Sequence, residues 1–320
     1  MLNGTVFMPS VLTLTGIPGL ESVQFWIGFP FCAMYIIALF GNFLILVIIK
    51  SERSLHEPMY LFLAMLGVTD IALSTCILPK LLGIFWFHSP EILFDACLFQ
   101  MWLIHTFQCT ESGILLAMAL DRYVAICDPL RHAAIFTHKL LTQIGVGVTL
   151  RAGVLIALCL ILIKCRLKHY RTTVVSHSFC EHMAIVKLAA EDTRVNKIYG
   201  LFVAFIILGF DIIFITLSYI RIFVTVFKLP QKVARLKAFN TCIAHICVFL
   251  IWVPYSILHS HSSVQSLPAR PTFSQSYCLW CKDQTDSRSS IQDFSLEGCI
   301  LSSHLSYFKS YKFNLRNTNF

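Results

Sequence analysis

Residues 22–49 read SVQFWIGFPFCAMYIIALFGNFLILVII and contain no charged side chain. About 20 apolar residues are enough to cross the roughly 30 Å of hydrocarbon in a bilayer. In lipid, an open chain satisfies all its backbone N–H and C=O groups only as a helix, so this stretch reads as a spanning helix. Working outward, five further runs share its character. Met59–Leu82 carries Asp70, with Lys80 near its end; Leu98–Leu120 carries Glu111; Leu140–Ile163 carries Arg151; Ile198–Ile220 carries Asp211; Ala238–Leu258 carries only His245. The expected fold is an all-α, polytopic membrane helix bundle with six clear spans.

Composition agrees. The 320 residues are 57% hydrophobic and 13% charged, with a mean hydropathy of +0.72. Soluble domains run at about 45–50% apolar and about 25% charged, so this chain lacks the charge to cover a water-soluble globule. Disorder and a disulfide-stapled mini-protein are excluded on the same ground. The net charge is +8, but the 25 Lys and Arg are scattered between apolar runs. A basic stripe for nucleic acid is therefore missing, and the lipid membrane is the expected partner. No basic region followed by an apolar core occurs in residues 1–24, so the first apolar run is expected to act as an uncleaved signal-anchor. Enzyme motifs and an internal repeat of the transporter kind are both absent.

Basic loop residues set the orientation. Residues 1–24 and 84–96 hold no Lys or Arg, whereas Lys50–Glu57, Arg122–Lys139 and Arg221–Lys237 hold two, three and five. The long loop Lys164–Lys197 breaks the trend with seven, alongside three acids. The remaining loops place the N-terminus outside. Asn3-Gly4-Thr5 is a glycosylation acceptor on that side. The expected organisation is an extracellular segment 1–24, a bundle 25–258 and a tail 259–320. That tail has 14 serines and no run long enough to span. Its Cys278-Leu-Trp-Cys281 has metal-pair spacing without a second pair, and is read as chance composition.

Ionisable groups inside a membrane default to function. Asp70 and Glu111 lie near mid-span in consecutive antiparallel helices. Two carboxylates at one depth call for a small cation or a shared proton, or else a protonated pair bonded to neighbouring helices. Asp121-Arg122-Tyr123 closes the third span on the inner side, where acid and base pair locally or swap to a partner, unless they simply snorkel to the interface. His105, Gln108, Cys109 and Ser112 follow i, i+3, i+4, i+7 spacing and share one helix face. That face lines either a ligand cavity toward the outer leaflet or a packed core. Cys97 and Cys180 both fall on the oxidising outer side, as a bridge or as two free thiols.

These stretches resemble the odorant receptors, a group of rhodopsin-like seven-helix G-protein-coupled receptors. The resemblance rests on Gly41-Asn42, Leu55-His56-Glu57-Pro58-Met59-Tyr60, Met118–Cys127 around Asp121-Arg122-Tyr123, Ser218-Tyr219, and Lys237-Ala238-Phe239-Asn240-Thr241-Cys242. Ser176–Met183 is similar to the class I branch, close to subfamily 52, and the likeness runs from about residue 10 to Leu250. It implies that Asp121, Arg122 and Tyr123 engage the stimulatory olfactory G protein. It also implies that Asp70 and Glu111 hold a structural sodium ion, with no other cofactor. By the same resemblance, the His105 face contacts a small odorant, a carboxylic acid by branch analogy, and Cys97 bridges Cys180. The plasma membrane is the implied location.

Two departures stand out. Ala190 occupies the position of a second loop cysteine, leaving Cys165 without its usual partner. Beyond Leu250 the likeness stops: Ile251-Trp252-Val253-Pro254 leads into serine-rich sequence, and the seventh-helix motif is missing. A shifted reading frame, giving a non-signalling product, is the alternative expectation.

Overall fold

The computed structural model of the chain describes residues 8–17 and 22–228. The sixth expected span, the 259–320 tail and Asn3 lie outside the described residues.

Four of the expected spans are single helices, and all but the first are longer than the apolar run that announced them. They are α1 (Gln24–Ser51), α2 (Pro58–Phe87), α3 (Phe94–Cys127) and α5 (His138–Arg166), with the short α4 (Pro129–Ile135) between the last two. Local chemistry sets their ends. Pro58 opens α2, where its fixed φ suits the first turn and its missing N–H is not needed. Thr137 caps α5 by accepting the Leu140 N–H at 3.3 Å. At the end of α2, His88 takes a left-handed conformation with φ of 48°. Lys80 there donates to the carbonyls of Ser89 and Glu91 at 2.9 and 2.6 Å, so this charge serves a helix end.

The fifth span is segmented. Helix α7 (Arg194–Ala204) passes through one π-helical turn, Phe205–Gly209, into α8 (Phe210–Phe227). An extra residue per turn rotates everything that follows about the helix axis. The described residues thus supply five stretches long and apolar enough to cross a membrane.

Helix α3 is the centre of the bundle and packs against α2, α5 and α8. Lipid offers apolar side chains as good a neighbour as protein does, so close helix contact relies on small residues and interhelical hydrogen bonds. Gly113 on α3 shows this: a Cβ there would collide with the Val148 side chain of α5. Between the same two helices, Trp102 Nε1 donates to the Gly153 carbonyl at 3.0 Å.

Outside the membrane the chain is not purely helical. Strands β1 (Val11–Leu14), β2 (Glu91–Leu93) and β3 (Val174–Val175) form a sheet in the order β2-β1-β3. The N-terminal segment thus pairs antiparallel with one outer loop and parallel with another. Leu12 and Leu14 are fully buried and join a core with Cys97, Tyr170, Val175 and Cys180. Strands of two to four residues carry too little periodicity to be read from sequence, and β1 pairs with a strand that lies beyond α5 in the chain.

Candidate functional site

A cavity of about 100 Å³ opens between the outer halves of α3, α5 and α7, beneath the outer loop. His105, Gln108 and Cys109 of α3 line it, one turn apart as helical spacing requires. Opposite them are Cys159 of α5 and Gly200 of α7. The roof comes from Glu181 and His182, at the start of helix α6 (His182–Leu188). His182 lies so close over Gly200 that a Cβ on that residue would approach its Cε1 to 2.8 Å. Burial pushes the His182 imidazole below its ordinary value, although the Glu181 carboxylate pulls the other way. The ring over the cavity is therefore neutral near pH 7, a hydrogen-bonding group rather than a cation.

The Cys97–Cys180 disulfide, with Cα atoms 5.5 Å apart, ties the loop that carries this roof to the outer end of α3. Gln100 supports the junction, donating to the Cys76 carbonyl at 2.9 Å and accepting the Cys180 N–H at 3.2 Å. Cys165 is exposed and free. Near the site of the second loop cysteine, Tyr170 pairs with Ala189 in an isolated antiparallel bridge. His169 Nδ1 meets Glu191 Oε1 at 2.7 Å beside it. Burial raises the Glu191 carboxyl, but hydrogen bonds from the His169 ring and the backbone of Lys168 and His169 outweigh it and hold the group below its ordinary value.

Ser112 departs from the set expected on the third-helix face. Its hydroxyl turns from the cavity and donates to Asp211 Oδ2 of α8 at 2.7 Å. Arg151 Nη2 of α5 reaches the same oxygen at 3.3 Å. Three consecutive walls of the bundle are thereby joined by one buried carboxylate. The π-helical turn just before Phe210 sets the rotation of α8 that brings Asp211 inward. Sequence marked Asp211 and Arg151 as costly intramembrane charges but offered no means of pairing them. Of the expected carboxylate pair, Glu111 is buried on α3 and Asp70 is half-buried on α2. Among the described residues, no group of three or more His, Cys, Asp or Glu is placed to hold a metal ion.

At the inner end of α3, Asp121 is fully buried and its carboxylate has three donors. Arg122 Nε and Nη2 reach Oδ2 at 3.0 and 2.6 Å, and His132 Nε2 of α4 reaches Oδ1 at 2.7 Å. Tyr123 is half-buried beside the inner apolar core. His132 was not singled out in the sequence; its only signal is a histidine in a short inner loop.

The olfactory receptor family profile matches residues 31–267. The chain is 79% identical over 248 residues to olfactory receptor 52A5 of Homo sapiens, covering 78% of each chain. The chain belongs to the olfactory receptor family. It is also 64% identical over 297 residues to olfactory receptor 52A4 of Homo sapiens, covering 88% of this receptor and 98% of that one. Identity to olfactory receptor 51E2 of Mus musculus is 51% over 257 residues, with 79% and 80% covered. The two 52A relatives support the subfamily 52 likeness. Family and spans together make this an odorant receptor, a multi-pass protein of the plasma membrane and not an enzyme.

Proposed function

We propose that the receptor binds a small odorant in the cavity between α3, α5 and α7 and passes that event to a stimulatory heterotrimeric G protein at Asp121-Arg122-Tyr123. The observation that carries the reading is their common helix: His105, Gln108 and Cys109 line the cavity at one end of α3, and the Asp121–Arg122 pair closes the other. An odorant that binds one helix arrangement more tightly than the other shifts the population toward it. Release of Arg122 from Asp121 at the inner end is the change a G protein would read.

The ligand class is a small carboxylic acid or similar polar volatile. A preformed 150 Å³ apolar cavity takes a benzene-sized guest, so about 100 Å³ suits a few heavy atoms. His105 and His182 supply hydrogen-bonding groups at the wall and roof. Asp70 and Glu111 form the proposed sodium pair, Cys97–Cys180 the pin that holds the roof, and Asn3 the glycosylated residue of the 1–24 outer segment. The bundle is proposed to run over 25–258.

A second reading is favoured by the tail. Residues 259–320 contain 14 serines and no apolar run long enough to read as a seventh span. In that reading the chain is a non-signalling, frame-shifted product that stays off the cell surface. A surface-expression and cAMP assay across short-chain acids, alcohols and aldehydes separates the two. An odorant-dependent rise that His105→Ala abolishes supports signalling. No rise above empty vector, with the receptor retained inside the cell, supports the second reading.

A further inference from the structure

We infer that His132 is the positioning residue that allows Arg122 to leave Asp121, by keeping the buried carboxylate partnered while Arg122 turns to another acceptor. The inference rests on the proposed role of Asp121-Arg122-Tyr123 in coupling.

The Asp121 side chain has 0% exposure, against 15% for Arg122 and 21% for His132. Its two oxygens are divided between its partners: Oδ2 takes both Arg122 contacts and Oδ1 takes His132. A buried carboxylate left with no donor is strongly disfavoured. Were Arg122 the sole partner, its departure would strand that charge and the pair would stay shut. His132 removes this obstacle, because a charge-assisted hydrogen bond remains on Oδ1 after Arg122 has gone.

The placement of His132 suits this task. It arrives on α4, an element separate from the helix that bears Arg122, so Arg122 can move without dragging it. Its ring rests on Phe136, with centroids 5.3 Å apart, and Phe136 packs on the inner core. The neighbouring Arg131 is turned to Asp128 at 3.6 Å and does not compete for Asp121.

The test uses the full-length receptor in membranes, treated with phenylglyoxal and followed by mass spectrometry of the Arg122 peptide. His132→Phe keeps the ring packing on Phe136 but loses the donor. It should slow Arg122 modification about tenfold, the size expected for one hydrogen bond to a charged group. His132→Ala should behave alike and guards against misfolding of either variant. His132→Gln retains a donor and should stay within about twofold of the parent, since an amide N–H replaces the imidazole N–H on the same carboxylate oxygen. In an Asp121→Asn background the His132→Phe effect should vanish, because no buried charge is left to protect.

Unchanged or faster Arg122 modification in His132→Phe overturns the inference. So does equal slowing in His132→Gln, or slowing that persists with Asp121→Asn. The labelling needs no G protein. A parent receptor that shows the predicted pattern yet drives no nucleotide exchange would refute the coupling reading alone.

Discussion

Helices α1 and α3 are opposites. Helix α1 carries no acidic or basic residue until Lys50 and has only 22% of its most apolar stretch buried, with Phe40 and Phe43 each more than 60% exposed. Helix α3 carries Asp95, Glu111, Asp121 and Arg122, and 67% of its corresponding stretch is buried. In water the more polar helix would be the exposed one. In a bilayer the exposed surface faces lipid, so polarity retreats inward to where other helices can satisfy it. The most polar span is therefore the central one, and the residues of interest collect on it.

Several measurements would break or sharpen this contrast. The largest effect is expected where α3 meets the outer loop. Cys97→Ser opens a link between positions 83 residues apart and should cost about 4 kcal/mol, read as a fall in the thermal midpoint of purified receptor. Next, Asp211→Ala leaves Arg151 and Ser112 without their shared acceptor, at a cost of about 3 kcal/mol. Equal stability of Asp211→Ala and the parent would mean that the three-helix junction adds nothing.

A paired truncation addresses α1 and α3 directly. Ile114→Ala on α3, at a site 2% exposed, should cost about 2 kcal/mol through the cavity it leaves. Phe43→Ala on α1, at a site 62% exposed, should stay within about 0.5 kcal/mol of the parent. Similar losses in both would erase the distinction between a lipid-facing and a buried span.

The smallest effect concerns the roof of the cavity. His182 is held neutral by burial, so the unfolded loop binds a proton more readily than the folded one. The stability this contributes is present above its ordinary value near 6.5 and is lost as pH falls below that. Protection of the His182–Leu188 amides, taken relative to their intrinsic exchange rate at each pH, should therefore fall between about pH 7.5 and about pH 5.5. His182→Gln should flatten the response.

Much of this receptor was legible without coordinates. The five described spans fall where apolar runs of about 20 residues predict them, because hydrocarbon permits no other open-chain structure. Helical spacing also put His105, Gln108 and Cys109 on one face, and that face does line the cavity. Ser112 obeys the same spacing yet leaves the set. Its hydroxyl is claimed by Asp211, 99 residues later, and only the π-helical turn before α8 aims that carboxylate inward. His132 escaped notice for a related reason. It gains meaning from a 2.7 Å contact with a residue on another helix, and the loop around it has no distinguishing pattern.

The outer sheet marks the same boundary. Nothing in Val11–Leu14, Glu91–Leu93 or Val174–Val175 announces a strand, since each is too short for alternation to register. They become strands because the helix ends bring the N-terminal segment and two loops together and their backbone groups need partners.

Sequence alone determined that the chain crosses a membrane, where its five described spans lie and which residues are too polar to face lipid. These follow from the cost of exposing backbone and charge to hydrocarbon, a cost each segment incurs by itself. The tertiary structure decided which polar groups meet: Asp211 with Ser112 and Arg151, Asp121 with His132, the N-terminal strand with two outer loops. Such pairings depend on helix rotation and on contacts between residues far apart in the chain, and no local pattern encodes either.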